Sequence, residues 1–268
     1  MFVIAGPCAI ESRDLVFEVA KVVKGICDEL GLSLFFKSSF DKANRTSLNA
    51  RGVGMEQGLD ILSEVKERFN VPILTDIHET WQCDPVAQVA DVLQIPAFLS
   101  RQTDLIQKAV MTGKTVNIKK GQFMAPWDMK GVIQKANAVA PNPQLWLTER
   151  GSSFGYGRLV VDMSGIVLMR QYGYPVVFDA THSVQRPSSD GHTGGDNQLI
   201  RPLLRAAIAT GIDGIFIETH PNPSEAISDS NCQLPLSQFE DVLKEALLFY
   251  KTFKQTLIKD YGKSGLST

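Results

Sequence analysis

Residues 2–31, FVIAGPCAIESRDLVFEVAKVVKGICDELG, contain the first unit of a pattern that recurs along the chain. This stretch opens with a short apolar run at 2–5, passes through a polar turn and continues into a segment of helical periodicity. The apolar residues that share one face of this segment are Leu15, Val19, Val22, Val23, Ile26 and Leu30. Ser12 is a typical N-cap residue, and Gly31 suits the position just after a helix. The stretch therefore predicts one β-strand followed by one amphipathic α-helix.

Short apolar runs and longer amphipathic segments alternate in this way along the sequence. Strands are predicted at 2–5, 33–38, 71–76, 92–96, 115–119, 145–149, 175–180 and 214–218. Further helices are predicted at 55–69, 84–91, 104–112, 128–138, 164–172, 198–210 and 236–254. Eight such units in 268 residues favour an α/β fold, a single (β/α)8 TIM barrel forming one domain over 1–268. The alternative is an open doubly wound sheet, but AGPCAIES at 5–12 lacks the glycine fingerprint typical of that fold.

The composition and charge narrow the classes of partner. A net charge of −2 provides no general attraction for nucleic acid, so we expect no nucleic-acid partner. No apolar run approaches the ~20 residues that span a bilayer, and the first residues lack the pattern of a secretory signal. We therefore expect a cytoplasmic protein with no membrane partner. The four cysteines form no C-x-x-C pair, and by default each is interpreted as a buried thiol.

Charged side chains recur where the predicted strands end. In a closed barrel these ends share one rim, and that rim carries the active site. One cluster is cationic, with Lys37 and Lys42 after the second strand, Lys119 on the fifth and Arg150 on the sixth. Several converging cations predict an anionic ligand with more than one negative group. The alternative interpretation is a solvated charged face, which the neighbouring Asp41 would fit.

A second cluster contains metal-ligating residue types. Cys8 follows the first strand, His182 the seventh, Glu218 the eighth, and Asp229 lies in the loop beyond. Closure of a barrel makes strands seven, eight and one consecutive, so these residues become neighbours. A thiolate, an imidazole and two carboxylates suit a divalent cation such as Zn²⁺, Fe²⁺ or Mn²⁺. Taken singly, each has an ordinary structural interpretation, a packed thiol for the cysteine and a hydrogen-bonded residue for the histidine.

Longer motifs carry a resemblance that runs nearly from end to end. They are AGPCAIES (5–12), FKSSFDKANRTS (36–47), TDIHE (75–79), QIPAFLSRQTDL (94–105), NIKKGQF (117–123), LTERG (147–151), FDATHSVQ (178–185), IETHPNP (217–223) and SDSNCQLPLSQ (228–238). The sequence resembles the 3-deoxy-D-manno-octulosonate 8-phosphate synthase family. The resemblance implies a (β/α)8 barrel, a transferase that condenses phosphoenolpyruvate with D-arabinose 5-phosphate and water. The products are the octulosonate 8-phosphate, used in lipopolysaccharide biosynthesis, and inorganic phosphate.

The resemblance also implies roles for particular residues. Those expected to hold the phosphoenolpyruvate carboxylate and phosphate are Lys37, Ser39, Lys42, Lys119, Gln122 and Arg150. Asn44 would contact the arabinose 5-phosphate chain, while Arg45 and the Thr46 hydroxyl would bind its distal phosphate across a subunit interface. Further residues expected at the substrate site are Asp76, His78, Gln94 and Arg101, the last from another subunit-contacting position. The residues expected to be catalytic are Lys42, Lys119, His182 and Cys8. The family implies a homotetramer.

Two positions bear on which member of this group the sequence resembles most. A metal-independent branch carries Asn where Cys8 stands, so the resemblance implies the metal-dependent branch, with Cys8, His182, Glu218 and Asp229 as ligands. The sister 3-deoxy-D-arabino-heptulosonate 7-phosphate synthases typically read Lys-Pro-Arg-Thr where this sequence reads KANRT at 42–46. The Ala-Asn pair favours the five-carbon phosphosugar, whereas Thr46 is compatible with either enzyme. A synthase of the sialic-acid type and a non-catalytic phosphosugar-binding barrel remain as alternatives.

Overall fold

Eight strands form where the apolar runs predict them. A computed structural model describes residues 1–43, 51–186 and 194–261. Its barrel strands are β1 (Phe2–Gly6), β2 (Ser33–Lys37), β3 (Ile73–Asp76), β4 (Val92–Ile95), β5 (Thr115–Lys119), β6 (Leu145–Glu149), β7 (Val176–Asp179) and β8 (Gly214–His220). The helices are α1 (Arg13–Leu30), α2 (Met55–Phe69), α3 (Cys83–Val89), α4 (Thr103–Met111), α5 (Met129–Asn137), α6 (Met163–Arg170), α7 (Ile200–Thr210) and α8 (Phe239–Tyr261).

The strands close into a ring. Each strand pairs in parallel with the next, and β1 pairs with both β2 and β8. The closing register runs from Phe2 opposite Gly214 to Gly6 opposite Glu218. The prediction of a (β/α)8 barrel is therefore confirmed, and the open doubly wound alternative is wrong because the sheet has no free edge at β1.

The helix ends follow local capping chemistry. The Ser12 hydroxyl accepts a hydrogen bond from the Leu15 amide at 3.2 Å, and Gly31 ends α1 in the left-handed conformation at φ 66°. The last helix begins at Phe239 instead of the predicted 236, because a 3₁₀ turn occupies Leu236–Gln238. The sequence pattern had merged this turn with the helix, since both bury apolar side chains on the same side.

The apolar core has two layers, and they leave one end of the barrel for polar residues. The larger layer lies between the strands and the surrounding helices. The smaller fills the inside of the ring with Ile4, Leu74, Val92, Val177 and Phe216. Phe2, Phe35 and Trp146 pack against it at the amino-terminal ends of the strands. Because apolar side chains fill that end, the polar side chains at the carboxyl ends face a cavity at the opposite end.

Five short strands lie at this end of the barrel, in the part of the chain that the structure describes. Ser152–Ser153 pairs with Leu159–Val160, and Gln185–Arg186 pairs with Gly194–Gly195, both antiparallel. Leu234–Pro235 extends the edge of β8 beyond the ring. The loops after β6, β7 and β8 are thereby tied down close to the polar strand ends. Among the helices that the structure describes, none is long and apolar enough to cross a membrane.

Candidate active site

A cavity of about 450 Å³ opens at the carboxyl ends of the strands. The predicted site residues that line it are Lys37, Lys42, Asp76, His78, Gln94, Lys119, Gln122, Arg150, His182, Glu218 and Asp229. Cys8 and Ser39 are buried and do not line it. Arg101 lines a separate cavity of about 250 Å³. Asn44, Arg45 and Thr46 lie outside the described residues.

Lys37 and Lys42 belong to the interior of the protein. They are 1% and 8% exposed, so the interpretation of a solvated charged face is wrong for them. The Lys37 ammonium donates to Glu218 Oε1 at 2.5 Å and to the Cys8 carbonyl at 3.0 Å. The Lys42 ammonium lies 3.8 Å from the same Glu218 oxygen. Two buried cations thus lie beside the Glu218 carboxylate at the wall of the cavity.

Lys119 is held by a carboxylate that the sequence analysis did not select. Its ammonium donates to Asp179 Oδ2 and lies over the Phe216 ring, 3.3 Å from the ring centre. Burial lowers the pKa of Lys119, although Asp179 opposes the shift. Asp179 also faces His182, with its Oδ2 2.8 Å from Nδ1. The available signal was its position three residues before His182, at the end of a predicted strand.

Arg150 presents hydrogen-bond donors to the cavity. Its side chain is buried, and Nη2 donates to Gln185 Oε1 at 2.5 Å. Nε and Nη1 have no hydrogen-bond partner within 1–43, 51–186 and 194–261. Burial lowers the pKa of this guanidinium, although the carboxylates around it oppose the shift. Buried donors without partners are costly, so this arrangement is that of a site prepared for an anion.

The metal-ligating residue types meet where the ring closes. Ligand atoms of Cys8, Glu218 and Asp229 all lie within 4.8 Å of one another. The Cys8 sulfur is 3.3 Å from Asp229 Oδ2. His182 Nε2 reaches the same group, at 3.5 Å from Glu218 Oε2 and 3.6 Å from Asp229 Oδ2. Residues separated by more than two hundred positions are thus adjacent because β1 pairs with β8.

The chemistry of these atoms fits a bound cation. His182 places Nδ1 2.8 Å from Asp179 Oδ2 and Nε2 within 3.6 Å of the Glu218 and Asp229 carboxylates. Glu218 Oε2 is buried without a hydrogen-bond partner in the described part of the chain. Burial and the Glu218 carboxylate raise the pKa of the Cys8 thiol to about 12, so without a cation it stays protonated. A divalent ion bound here would offset the repulsion between these electron-rich ligand atoms and would favour the thiolate form of Cys8.

A chain of hydrogen bonds inside the barrel ends on Asp76. Ser39 and Gln94 both donate to its carboxylate. Behind them, Asn117 donates to Gln94 Oε1 at 2.8 Å, and Thr148 donates to Asn117 Oδ1 at 2.6 Å. Burial alone would raise the pKa of Asp76, but the Lys37 and Lys42 cations hold it well below its usual value. The chain therefore keeps an ionised carboxylate beside the two lysines.

These features define a barrel whose rim combines buried cationic side chains with a cluster of metal-ligating residue types. The model of the DAHP synthetase I family matches residues 1–251, and the chain belongs to that family.

Individual relatives define the resemblance further. A protein of Fusobacterium nucleatum subsp. nucleatum is 55% identical over 253 residues, covering 94% of this chain and 91% of the relative. A protein of Trichlorobacter lovleyi is 56% identical over 246 residues, covering 91% and 90% of the two chains. Both are named 2-dehydro-3-deoxyphosphooctonate aldolase. The resemblance to the octulosonate 8-phosphate synthases is thereby confirmed.

Proposed function

We propose that this chain condenses phosphoenolpyruvate with D-arabinose 5-phosphate and water, giving 3-deoxy-D-manno-octulosonate 8-phosphate and inorganic phosphate. The relatives' name describes the octulosonate enzyme and not the heptulosonate synthase, so the seven-carbon alternative is not favoured. The observation that carries the proposal is buried Arg150, whose Nε and Nη1 donors have no partner among the described residues, facing the same cavity as Lys37, Lys42 and Lys119. A substrate with two anionic groups, a carboxylate and a phosphate, supplies the charge that such a site requires. The product enters lipopolysaccharide biosynthesis.

The cations hold phosphoenolpyruvate in this proposal. Arg150 and Gln122 take its phosphate on one side of the cavity, and Lys37, Lys42 and Lys119 its carboxylate and enol side. Ser39, which is buried behind the cavity wall, supports this side through its hydrogen bond to Asp76. Asp76, His78 and Gln94 line the wall that receives the aldehyde, with Asn44, Arg45, Thr46 and Arg101 for the distal part of the phosphosugar. Fixing both reactants turns a bimolecular reaction into a step within one complex.

The reaction needs one new carbon–carbon bond and one lost phosphate. Carbon 3 of phosphoenolpyruvate attacks the aldehyde carbon, and the aldehyde oxygen takes a proton to become a hydroxyl. Water adds to carbon 2 and loses a proton, after which inorganic phosphate departs and leaves the ketone. Lys42 and Lys119 stabilise negative charge on the reacting oxygens. His182 lies on the side of the site where water adds.

The proposed metal ligands are Cys8, His182, Glu218 and Asp229, because these four groups converge and their chemistry fits a borderline divalent ion such as Zn²⁺, Fe²⁺ or Mn²⁺. When bound, such an ion supplies Lewis acidity and orientation at the aldehyde and water side. Asp179 would keep His182 in the tautomer that offers Nε2, as carboxylates behind ligating histidines commonly do.

We also propose a cytoplasmic homotetramer in which Arg45 reaches a neighbouring subunit's site. Phe98 and Phe123 support an interface at the rim, since they line the cavity mouth while being 56% and 55% exposed. Exposed aromatic groups of this size commonly mark contacts between proteins. Light scattering coupled to size-exclusion chromatography measures the assembly, and a monomer would contradict it.

The experiment that tests the proposed activity compares two aldehydes. Purified protein with added divalent metal is assayed for phosphate release from phosphoenolpyruvate, with arabinose 5-phosphate or erythrose 4-phosphate as acceptor. We expect a higher kcat/KM for arabinose 5-phosphate. A preference for erythrose 4-phosphate would identify a heptulosonate synthase instead, and no release with either acceptor would favour the non-catalytic barrel.

A further inference from the structure

Gln185 lies between the two halves of the site. Its Oε1 accepts from Arg150 Nη2 at 2.5 Å, and its Nε2 donates to Asp229 Oδ1 at 3.0 Å. The orientation of the amide follows from charge, because the oxygen faces a guanidinium and the NH₂ group faces a carboxylate. One side chain thus connects a donor of the anion site to a member of the metal-binding group, which the sequence analysis had treated as separate clusters.

The surrounding backbone holds Gln185 in place. It begins the short strand Gln185–Arg186, which pairs with Gly194–Gly195. The second strand is packed on the loop that carries Asp229, since the Cys232 thiol donates to the Gly194 carbonyl at 3.6 Å. Gln185 also lines the cavity. Both of its partners are buried, at 4% exposure for Arg150 and 5% for Asp229, so movement of either is restricted.

We propose that Gln185 is a positioning residue that orients Arg150 for the substrate phosphate and Asp229 for the metal at the same time. This inference rests on the proposed function for the identity of the anion and the cation. Gln185 satisfies the Nη2 donor of Arg150, and Nε and Nη1, which have no partner in the described part of the chain, are left for the anion. With Asp229 Oδ1 satisfied by Gln185, the Oδ2 atom is left beside Cys8 and His182.

The test measures two affinities in the absence of turnover. Calorimetric titrations give the dissociation constant of Mn²⁺, and separately that of inorganic phosphate, for the full chain and for Gln185→Met. The variant keeps the length of the side chain and removes both hydrogen bonds. We expect Mn²⁺ to bind about tenfold more weakly, as for loss of other groups that orient a metal ligand. Phosphate should bind roughly threefold more weakly or worse.

A matched control and a second variant separate positioning from general damage. Gln107→Met changes the same residue type on α4, away from the cavity, and should leave both dissociation constants unchanged. Gln185→Glu keeps an acceptor for Arg150 but adds a negative charge. It also loses the donor to Asp229 and places a second negative charge beside that carboxylate, so Mn²⁺ binding should weaken, and phosphate binding should weaken because the new carboxylate competes for Arg150.

Two results would overturn the proposal. The first is a Gln185→Met variant in which either affinity is unchanged, and the second is a Gln185→Glu variant that binds Mn²⁺ as tightly as the wild type does. Failure of the proposed function would appear in a different measurement, the release of phosphate. In that case wild-type protein would release no phosphate from phosphoenolpyruvate with either aldehyde, whatever the two titrations give.

Discussion

Cys8 shows how one residue combines several constraints. It follows β1, is 1% exposed, and lies 3.3 Å from Asp229 Oδ2 in the loop beyond β8. The sequence shows a cysteine directly after the first predicted strand, and the predicted closure of the barrel identified its neighbours. The distance between Cys8 and Asp229 could not be predicted, because the sequence pattern does not show how far the chain after β8 turns back over the ring.

Replacing Cys8 tests the metal site directly. In Cys8→Asn we expect Mn²⁺ affinity to fall at least about tenfold, since a ligand is lost and even supporting groups cost that much. Wild-type turnover should stop after treatment with a chelator and return when Mn²⁺ is added back. The variant's residual turnover should not respond to chelator, as Asn makes no thiolate. Full wild-type activity after chelation, with no metal left by elemental analysis, would contradict the metal requirement.

Asp76 gives a prediction about acid stability. Its pKa in the folded protein lies below the ordinary 3.8, so ionised Asp76 stabilises the fold above that pH and loses this contribution as the pH falls below it. Asp76→Asn removes the contribution, leaving Lys37 and Lys42 without this counter-charge. We expect the variant to be about 1–3 kcal/mol less stable at pH 7. Urea unfolding at pH 7 and pH 3 should show this difference shrinking at pH 3, and an equal difference at both would show that the charge is unimportant.

At the scale of elements, the short strand pair formed by Gln185–Arg186 and Gly194–Gly195 is the least predictable part of the fold. Gly194–Gly195 contains no β-forming side chain, so the sequence pattern gave no strand there. The pairing forms because the glycines allow close packing on the loop that carries Asp229. Added to Gly195, a Cβ atom would overlap the Cys232 sulfur and lie 2.8 Å from the Asn231 carbonyl oxygen.

A methyl group at this position should therefore disturb both stability and the metal site. We expect Gly195→Ala to cost about 1–3 kcal/mol by overpacking and to weaken Mn²⁺ binding, because the loop carrying Asp229 must shift. Gly25→Ala is the matched control: this α1 glycine has nothing within 4 Å of the added methyl group. That change should stabilise the protein by about 0.5–1 kcal/mol. Chemical unfolding and Mn²⁺ titration measure both, and a neutral Gly195→Ala would show that the strand pair yields easily.

The barrel strands, by contrast, were largely predictable. Each is a run of apolar residues buried on both sides, bounded by helical periodicity, and the structure moves their ends by only a few residues, as in β8, which continues past 218 to His220. Gln185 and Asp179 were not selected as site residues because their roles depend on partners in other loops. A sequence pattern shows the spacing of residues within one element, whereas these contacts join residues of different elements.

For the whole molecule, the buried cations predict a strong dependence of stability on anions. A ligand that binds the folded state alone at 100 times its dissociation constant adds about 2.7 kcal/mol to the free energy of unfolding. Inorganic phosphate at that concentration should raise the melting temperature, because it satisfies Arg150. Arg150→Ala should respond much less, and sodium chloride at matched ionic strength serves as the control. An equal rise with chloride would indicate general screening instead of a site.

Closure of the ring through β1 and β8 has a consequence for how the protein is made. Cys8 and Asp229 are 221 positions apart in sequence, yet they touch in the finished molecule. At about 5–20 residues per second, the ribosome adds Asp229 roughly 10 to 45 s after Cys8. During that interval the thiol belongs to a nascent chain that has neither Glu218 nor Asp229 to hold a metal with it. The proposed metal centre would therefore be completed late in translation, and until then the growing chain carries Cys8 without Glu218 and Asp229.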